Sequence, residues 1–148
     1  MKELKYVHIV QEHLINASRE KVFKALTQDT SSWWSHSIEE DSQVRFEAKL
    51  GGHFYEEFKQ GGGFLYATVI WLKPGEEIEL MGPMGWDGPV TGVFSYTLEE
   101  KGEGTLVKLE HKFFGPLSGE TEGMYIEGWR ELLGSNLKNY VEEGRKVR

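Results

Sequence analysis

Between residues 44 and 114 apolar and polar positions alternate in short runs separated by turn residues, the pattern of successive antiparallel strands. The run VRFEAKL (44–50) leads through Gly51 and Gly52 into HFYEEFK (53–59). Gln60 and three glycines precede FLYATVIWLK (64–73), and Pro74, Gly75 and Glu76 turn the chain into EIELM (77–81). After a loop over 82–91 come VFSYTLEE (93–100), a hairpin turn at 101–104 and TLVKLEHKFF (105–114). In that last run Val107, Leu109, His111 and Phe113 share one parity, while Lys108, Glu110 and Lys112 share the other. One face of the sheet is therefore expected to be buried and the other wet.

The flanking segments complete the pattern. Residues 5–15, KYVHIVQEHLI, read as a further strand with Val7, Ile9 and Ile15 on one side. Ser18 is placed to cap a helix over 20–27, with Glu20 in its first turn and Lys24 four residues on as an ion-pair partner. A second short helix is expected from Asp29 or Thr30 through Trp34. Residues ~121–144 read as one long helix whose broad face carries Met124, Trp129, Leu132, Leu133, Asn136, Leu137, Tyr140 and Val141. The predicted order is strand, two helices, six strands, long helix. This is one α+β domain over residues 1–148, with the long helix covering the concave face of a curved antiparallel sheet.

Composition narrows the function classes. The net charge of −7, from 24 acids and 17 bases, disfavours nucleic-acid and anionic-lipid surfaces. The one basic cluster, Arg145, Lys146 and Arg148, is expected to favour the negative end of the last helix. The absence of cysteine excludes disulfides and thiolate chemistry. With no signal-peptide pattern and no apolar run long enough for a membrane span, a cytoplasmic location without membrane insertion is expected. The five histidines are widely separated, so no metal or cofactor site is expected.

Three stretches carry a resemblance. They are LINASREKVFKALT, the Trp33-Trp34 segment followed by Gly51-Gly52-His53-Phe54, and Gly128-Trp129-Arg130-Glu131-Leu132-Leu133. Together they resemble the START-like helix-grip (SRPBCC) superfamily, and within it the group similar to the activator of the heat-shock protein 90 ATPase. The resemblance implies a cavity between the sheet and the long helix, open at one end.

On that expectation Trp34, Phe54, Tyr66, Trp129 and Leu133 either line the cavity or fill it as core. Trp86, in the loop 82–91, is a lid, a partner contact or a core-edge residue. His111, on the apolar parity of its strand, is expected to be hydrogen-bonded in the interior, with Asn136 or Tyr140 as partner. Glu56 shares a parity with Phe54 and Phe58; because acids are rarely buried, it is expected to reach solvent at the sheet's open edge. Gly128 and Gly134, costly inside a helix, imply a close neighbour there, a strand before a ligand. The functional expectation is non-enzymatic binding of a hydrophobic or aromatic small molecule, lipid-like or polyketide-like. The alternatives are a co-chaperone-type module with a protein partner, and a cyclase or dehydratase using His111 or Glu56.

Overall fold

The computed structural model describes residues 2–85 and 88–148. Its seven strands are β1 (Glu3–Ile15), β2 (Gln43–Phe46), β3 (His53–Glu57), β4 (Gly63–Lys73), β5 (Glu77–Gly82), β6 (Thr91–Lys101) and β7 (Gly104–Leu117). They form one antiparallel sheet in the order β1-β7-β6-β5-β4-β3-β2. The chain is a meander from β2 to β7, and β1 returns to pair along the whole of β7, from Glu3 opposite Leu117 to Ile15 opposite Thr105. Period-two alternation points Val7, Ile9, Phe94, Tyr96, Val107, Leu109, His111 and Phe113 into the core. Register shifts at Phe54/Tyr55 in β3 and at Val69/Trp71 in β4 mark bulges, which bend strands and deepen the curvature.

Helices α1 (Arg19–Thr27) and α2 (Thr30–Trp33) connect β1 to β2. Ser18 caps α1 by accepting the Lys21 N–H at 3.2 Å. Lys24 pairs with Asp29 at 3.1 Å, not with Glu20 as the helical spacing had implied. The C-terminal helix runs as α3 (Thr121–Glu131), a π-helical segment (Leu132–Leu137) and α4 (Lys138–Glu143), and it ends at Gly144 with φ 72. Trp129, Leu132, Leu133, Leu137 and Val141 are its buried residues facing the sheet.

The π segment corrects the predicted helix face. Its i→i+5 bonding accommodates one more residue per turn than α-helical spacing does. The inner face therefore continues through Leu137 and Val141, while Asn136 and Tyr140 rotate toward α1 and α2. There Asn136 donates to Ser35 Oγ at 2.8 Å, and the Tyr140 hydroxyl donates to Asp29 at 2.9 Å. The basic tail departs from expectation as well. Val147 N–H bonds Ser32 O, and the Arg148 guanidinium donates to the carbonyls of Glu40 and Ser42 at 2.9 and 2.7 Å. The C-terminus thus folds back across the connection between α2 and β2.

Candidate functional site

Aromatic side chains fill most of the space that curvature opens beneath the helix. Trp34, where the chain leaves α2 in an extended conformation, meets Phe54 edge-on at 5.0 Å between ring centroids. Tyr66 stacks on Phe54 at 5.0 Å, and Trp129 reaches from α3 to Trp34 at 6.1 Å and Phe94 at 5.5 Å. Phe54 and Leu133 belong to this sealed core. What stays open is a cavity of about 280 Å³ at the N-terminal half of the helix. Trp34, Tyr66 and Trp129 line it, and α3 adds Tyr125 and Gly128. Met84 and Gly85 complete the lining together with Leu132, and His36, Ile38 and Met124 also border it. Larger depressions of about 390 and 530 Å³ lie at the β2–β4 end of the sheet, lined largely by charged residues and glycine.

The pocket's lip is held under tension. Met84 has φ 50, a left-handed conformation that side chains other than glycine adopt at a cost. Two bonds hold it: Met84 N–H to Tyr66 O at 3.1 Å, and the Tyr125 hydroxyl to Met84 O at 2.8 Å. Opposite the lip, His36 Nε2 meets Glu131 at 2.7 Å, and the His36 ring lies 3.4 Å from where a Gly128 Cβ would stand. Gly134 likewise gives way to His13 of β1, 3.0 Å from its virtual Cβ. The close neighbours anticipated for the two helix glycines are thus a connecting-segment histidine and a strand histidine.

Behind Tyr66 lies Glu56, which is 0% exposed, so the expectation of a solvated edge position is overturned. Its Oε1 accepts from Ile38 N–H at 2.8 Å and the Tyr66 hydroxyl at 2.6 Å. Its Oε2 accepts from Glu39 N–H at 2.8 Å and the Ser42 hydroxyl at 2.6 Å. Burial pushes the carboxyl pKa up, but these bonds to the ionised form outweigh it and leave the pKa below the usual value. Burial and then the Glu56 carboxylate push the Tyr66 phenol upward. Glu56 thereby ties β3 to the segment 35–42, which carries His36 and Ile38 to the pocket. Arg148 holds the outer side of the same segment at Glu40 and Ser42.

His111 is 1% exposed, and its partner is neither Asn136 nor Tyr140. Trp129 Nε1 donates to its Nδ1 at 3.0 Å, because the π segment turns the two expected partners away. Burial lowers its pKa to about 3, so the ring is neutral at pH 7. The geometry therefore brings Trp34, Tyr66 and Trp129 together at the pocket, with Glu56 and His111 one layer behind. It places Asn136 and Tyr140 elsewhere, and Trp86 falls outside the described residues. Sequence reasoning passed over His36, Ile38 and Tyr125. The spacing of Tyr125, Trp129 and Leu132 at i, i+4 and i+7 was the available signal for Tyr125.

A curved antiparallel sheet gripping a C-terminal helix, with a pocket beneath that helix, defines the helix-grip class. The comparisons place the chain within it. A family model described as Activator of Hsp90 ATPase homolog 1-like protein matches residues 16–142, and the chain belongs to that family. Among solved structures, protein MLL2253 from Mesorhizobium loti is similar at TM-score 0.70 and 20% identity, covering 91% of this chain and 96% of that one. A Rhizobium leguminosarum protein matches at TM-score 0.71 and 19% identity over 96% and 98% of the two chains. CalU16 from Micromonospora echinospora matches at TM-score 0.68 and 16% identity over 99% and 87%. At these identities the likeness is one of fold. No curated protein matches the chain. Among the described residues no helix is long and apolar enough to cross a membrane.

Proposed function

We propose that this protein binds a compact hydrophobic or aromatic small molecule in the pocket beneath the C-terminal helix, without transforming it. The observation that carries the reading is the 280 Å³ cavity walled by Trp34, Tyr66 and Trp129. That volume lies at the lower bound for small-molecule sites, roughly 300–1,000 Å³, so one or two fused rings fit and a long acyl chain does not. Such a ligand buries an apolar area like that of a large aromatic side chain, about 150–250 Å². At about 25 cal/mol per Å² the gross gain is ~4–6 kcal/mol before the cost of association, so burial alone gives a Kd no tighter than about 40 µM. Acid–base chemistry has less support. The four bonds to Glu56 occupy its acceptor sites, and the lone pair of the neutral His111 ring is taken by Trp129.

The test is native against denaturing mass spectrometry of protein purified without detergent, followed by thermal-shift screening with small aromatics. Retained mass that is lost on denaturation, or stabilisation by such compounds that Gly128→Leu abolishes, supports the reading. A clean mass together with a flat screen refutes it. A protein partner is the second reading. Ile38 and Met124, 54% and 62% exposed beside the mouth, favour it as an apolar collar for an inserted anchor side chain. Complex formation that persists in Gly128→Leu would point to a surface elsewhere.

A further inference from the structure

The sheet ends in β1 on one side and β2 on the other. β2 offers an edge of four residues; β1 offers thirteen, unbroken by proline and paired to β7 without a register shift. Long regular edges are templates for strand pairing, and native chains normally blunt them. In an antiparallel strand alternate residues turn their backbone N–H and C=O to opposite sides. Lys138 Nζ reaches the Leu14 carbonyl at 3.2 Å and Glu142 accepts the Asn16 N–H at 2.8 Å, so the even-numbered residues of β1 face away from β7. Among the described residues, no protein group bonds the edge-facing backbone of Leu4, Tyr6, His8, Val10 or Glu12. The side chains of these residues lie exposed on the convex face, next to the exposed Phe114 that pairs with Tyr6 on β7. Lys5 does not guard the edge. It points to the concave side, its ammonium 3.8 Å from where a Gly119 Cβ would stand.

We propose that this edge pairs with β1 of a second copy of the chain, antiparallel about a two-fold axis through Val7, to give a sheet continuous across the dimer. In that register Lys2 stands opposite Glu12 of the second copy, Leu4 opposite Val10, and Tyr6 opposite His8. Each exposed convex-face side chain thereby meets a complement: an ion pair, an apolar pair and a pair of rings. Every such even-numbered pair exchanges two backbone hydrogen bonds. Moving the axis to His8 sets Leu4 against Glu12, and moving it to Tyr6 sets Lys2 against Val10, so the chain's own sequence selects Val7. The two-fold also keeps the C-terminal helices apart. Their hydrogen bonds to this edge fall at Gln11, Leu14 and Asn16, which lie opposite or beyond the start of the second copy's strand.

The experiment is sedimentation velocity over a concentration series, paired with amide hydrogen exchange at its two ends. The interface is small, so a monomer–dimer equilibrium in the micromolar range is expected, on the order of 10 µM. The amides of Leu4, Tyr6, His8 and Val10 should exchange more slowly as the dimer forms. Those of Val7 and Ile9, already bonded to β7, should not change. Lys2→Glu and Glu12→Lys each turn two symmetry-related attractions into repulsions and should weaken the dimer roughly tenfold. The double variant Lys2→Glu/Glu12→Lys should restore it, which no other register and no unrelated surface would do. A protein that stays monomeric up to about 500 µM overturns the inference and leaves the edge to an extended segment of a different protein. A dimer whose charge variants behave like the unsubstituted chain, or whose newly protected amides lie outside β1, overturns it as well.

Discussion

Replacing Glu56 by glutamine tests the energetic centre of the site. Each carboxylate oxygen takes one backbone N–H and one hydroxyl. In Glu56→Gln one oxygen becomes an NH₂ group facing two donors. The Ser42 or Tyr66 hydroxyl on that side can rotate to accept, but the Ile38 or Glu39 N–H cannot. One buried backbone donor is then orphaned, at about 1–3 kcal/mol, and the remaining bonds drop from charge-assisted to neutral strength. The expected loss of unfolding free energy is about 3 kcal/mol, or roughly 5–12 °C in Tm for a chain of this size. Urea titration at pH 7 measures it. Hydrogen exchange should also show the Ile38 and Glu39 amides exchanging faster, because the segment 35–42 has lost its anchor. A change within 0.5 kcal/mol, with those amides still protected, would refute the account of Glu56 as that anchor.

Three further outcomes are expected. The neutral His111 ring gains a proton only on unfolding, so stability should be fullest above pH ~6.5 and fall by about 1.4 kcal/mol per unit from there toward pH 3. Urea titrations at pH 7 and pH 5 should show about 2 kcal/mol more loss in the unsubstituted protein than in His111→Phe, and parallel losses would contradict the assignment. Gly123→Ala, with nothing within 4 Å of the new Cβ, should stabilise the helix by up to ~1 kcal/mol. Gly134→Ala should forfeit that gain against the His13 ring, and thermal unfolding of the pair compares them directly. Arg148→Ala should lower Tm by a few degrees and loosen the turn at Glu40 and Ser42, read as faster exchange of the Ser42 amide.

The strands and their order along the chain were legible because period-two alternation records burial residue by residue. His111 fell on the buried parity of its strand, and so did Phe113. Glu56 was on the inward parity too, yet its burial could not be foreseen. The donors that make burial tolerable come from Ile38, Glu39 and Ser42, fourteen or more residues away, and from Tyr66 on the neighbouring strand. Of the predicted helix face, Trp129, Leu132, Leu133, Leu137 and Val141 are buried, whereas Met124 is 62% exposed and Asn136 and Tyr140 turn to the side, since a π segment leaves the composition of the apolar stripe unchanged while moving its phase. Met84 gave no sign of its left-handed backbone, which depends on the Tyr125 hydroxyl 41 residues further on. Alternation thus exposes which residues are inside. It does not expose which of them leave a space, and the 280 Å³ pocket is what the aromatic packing fails to fill.

The most direct test of the pocket as a binding site is a chemical-shift titration with small aromatic probes, run on the unsubstituted protein and on Gly128→Leu. The leucine side chain projects into the cavity from a position where its Cβ meets only the His36 ring, at 3.4 Å. The account predicts perturbations confined to Trp34, Tyr66, Tyr125, Gly128 and Trp129, all of them lost in a folded Gly128→Leu protein. Perturbations centred elsewhere, or unchanged by the leucine, would contradict it.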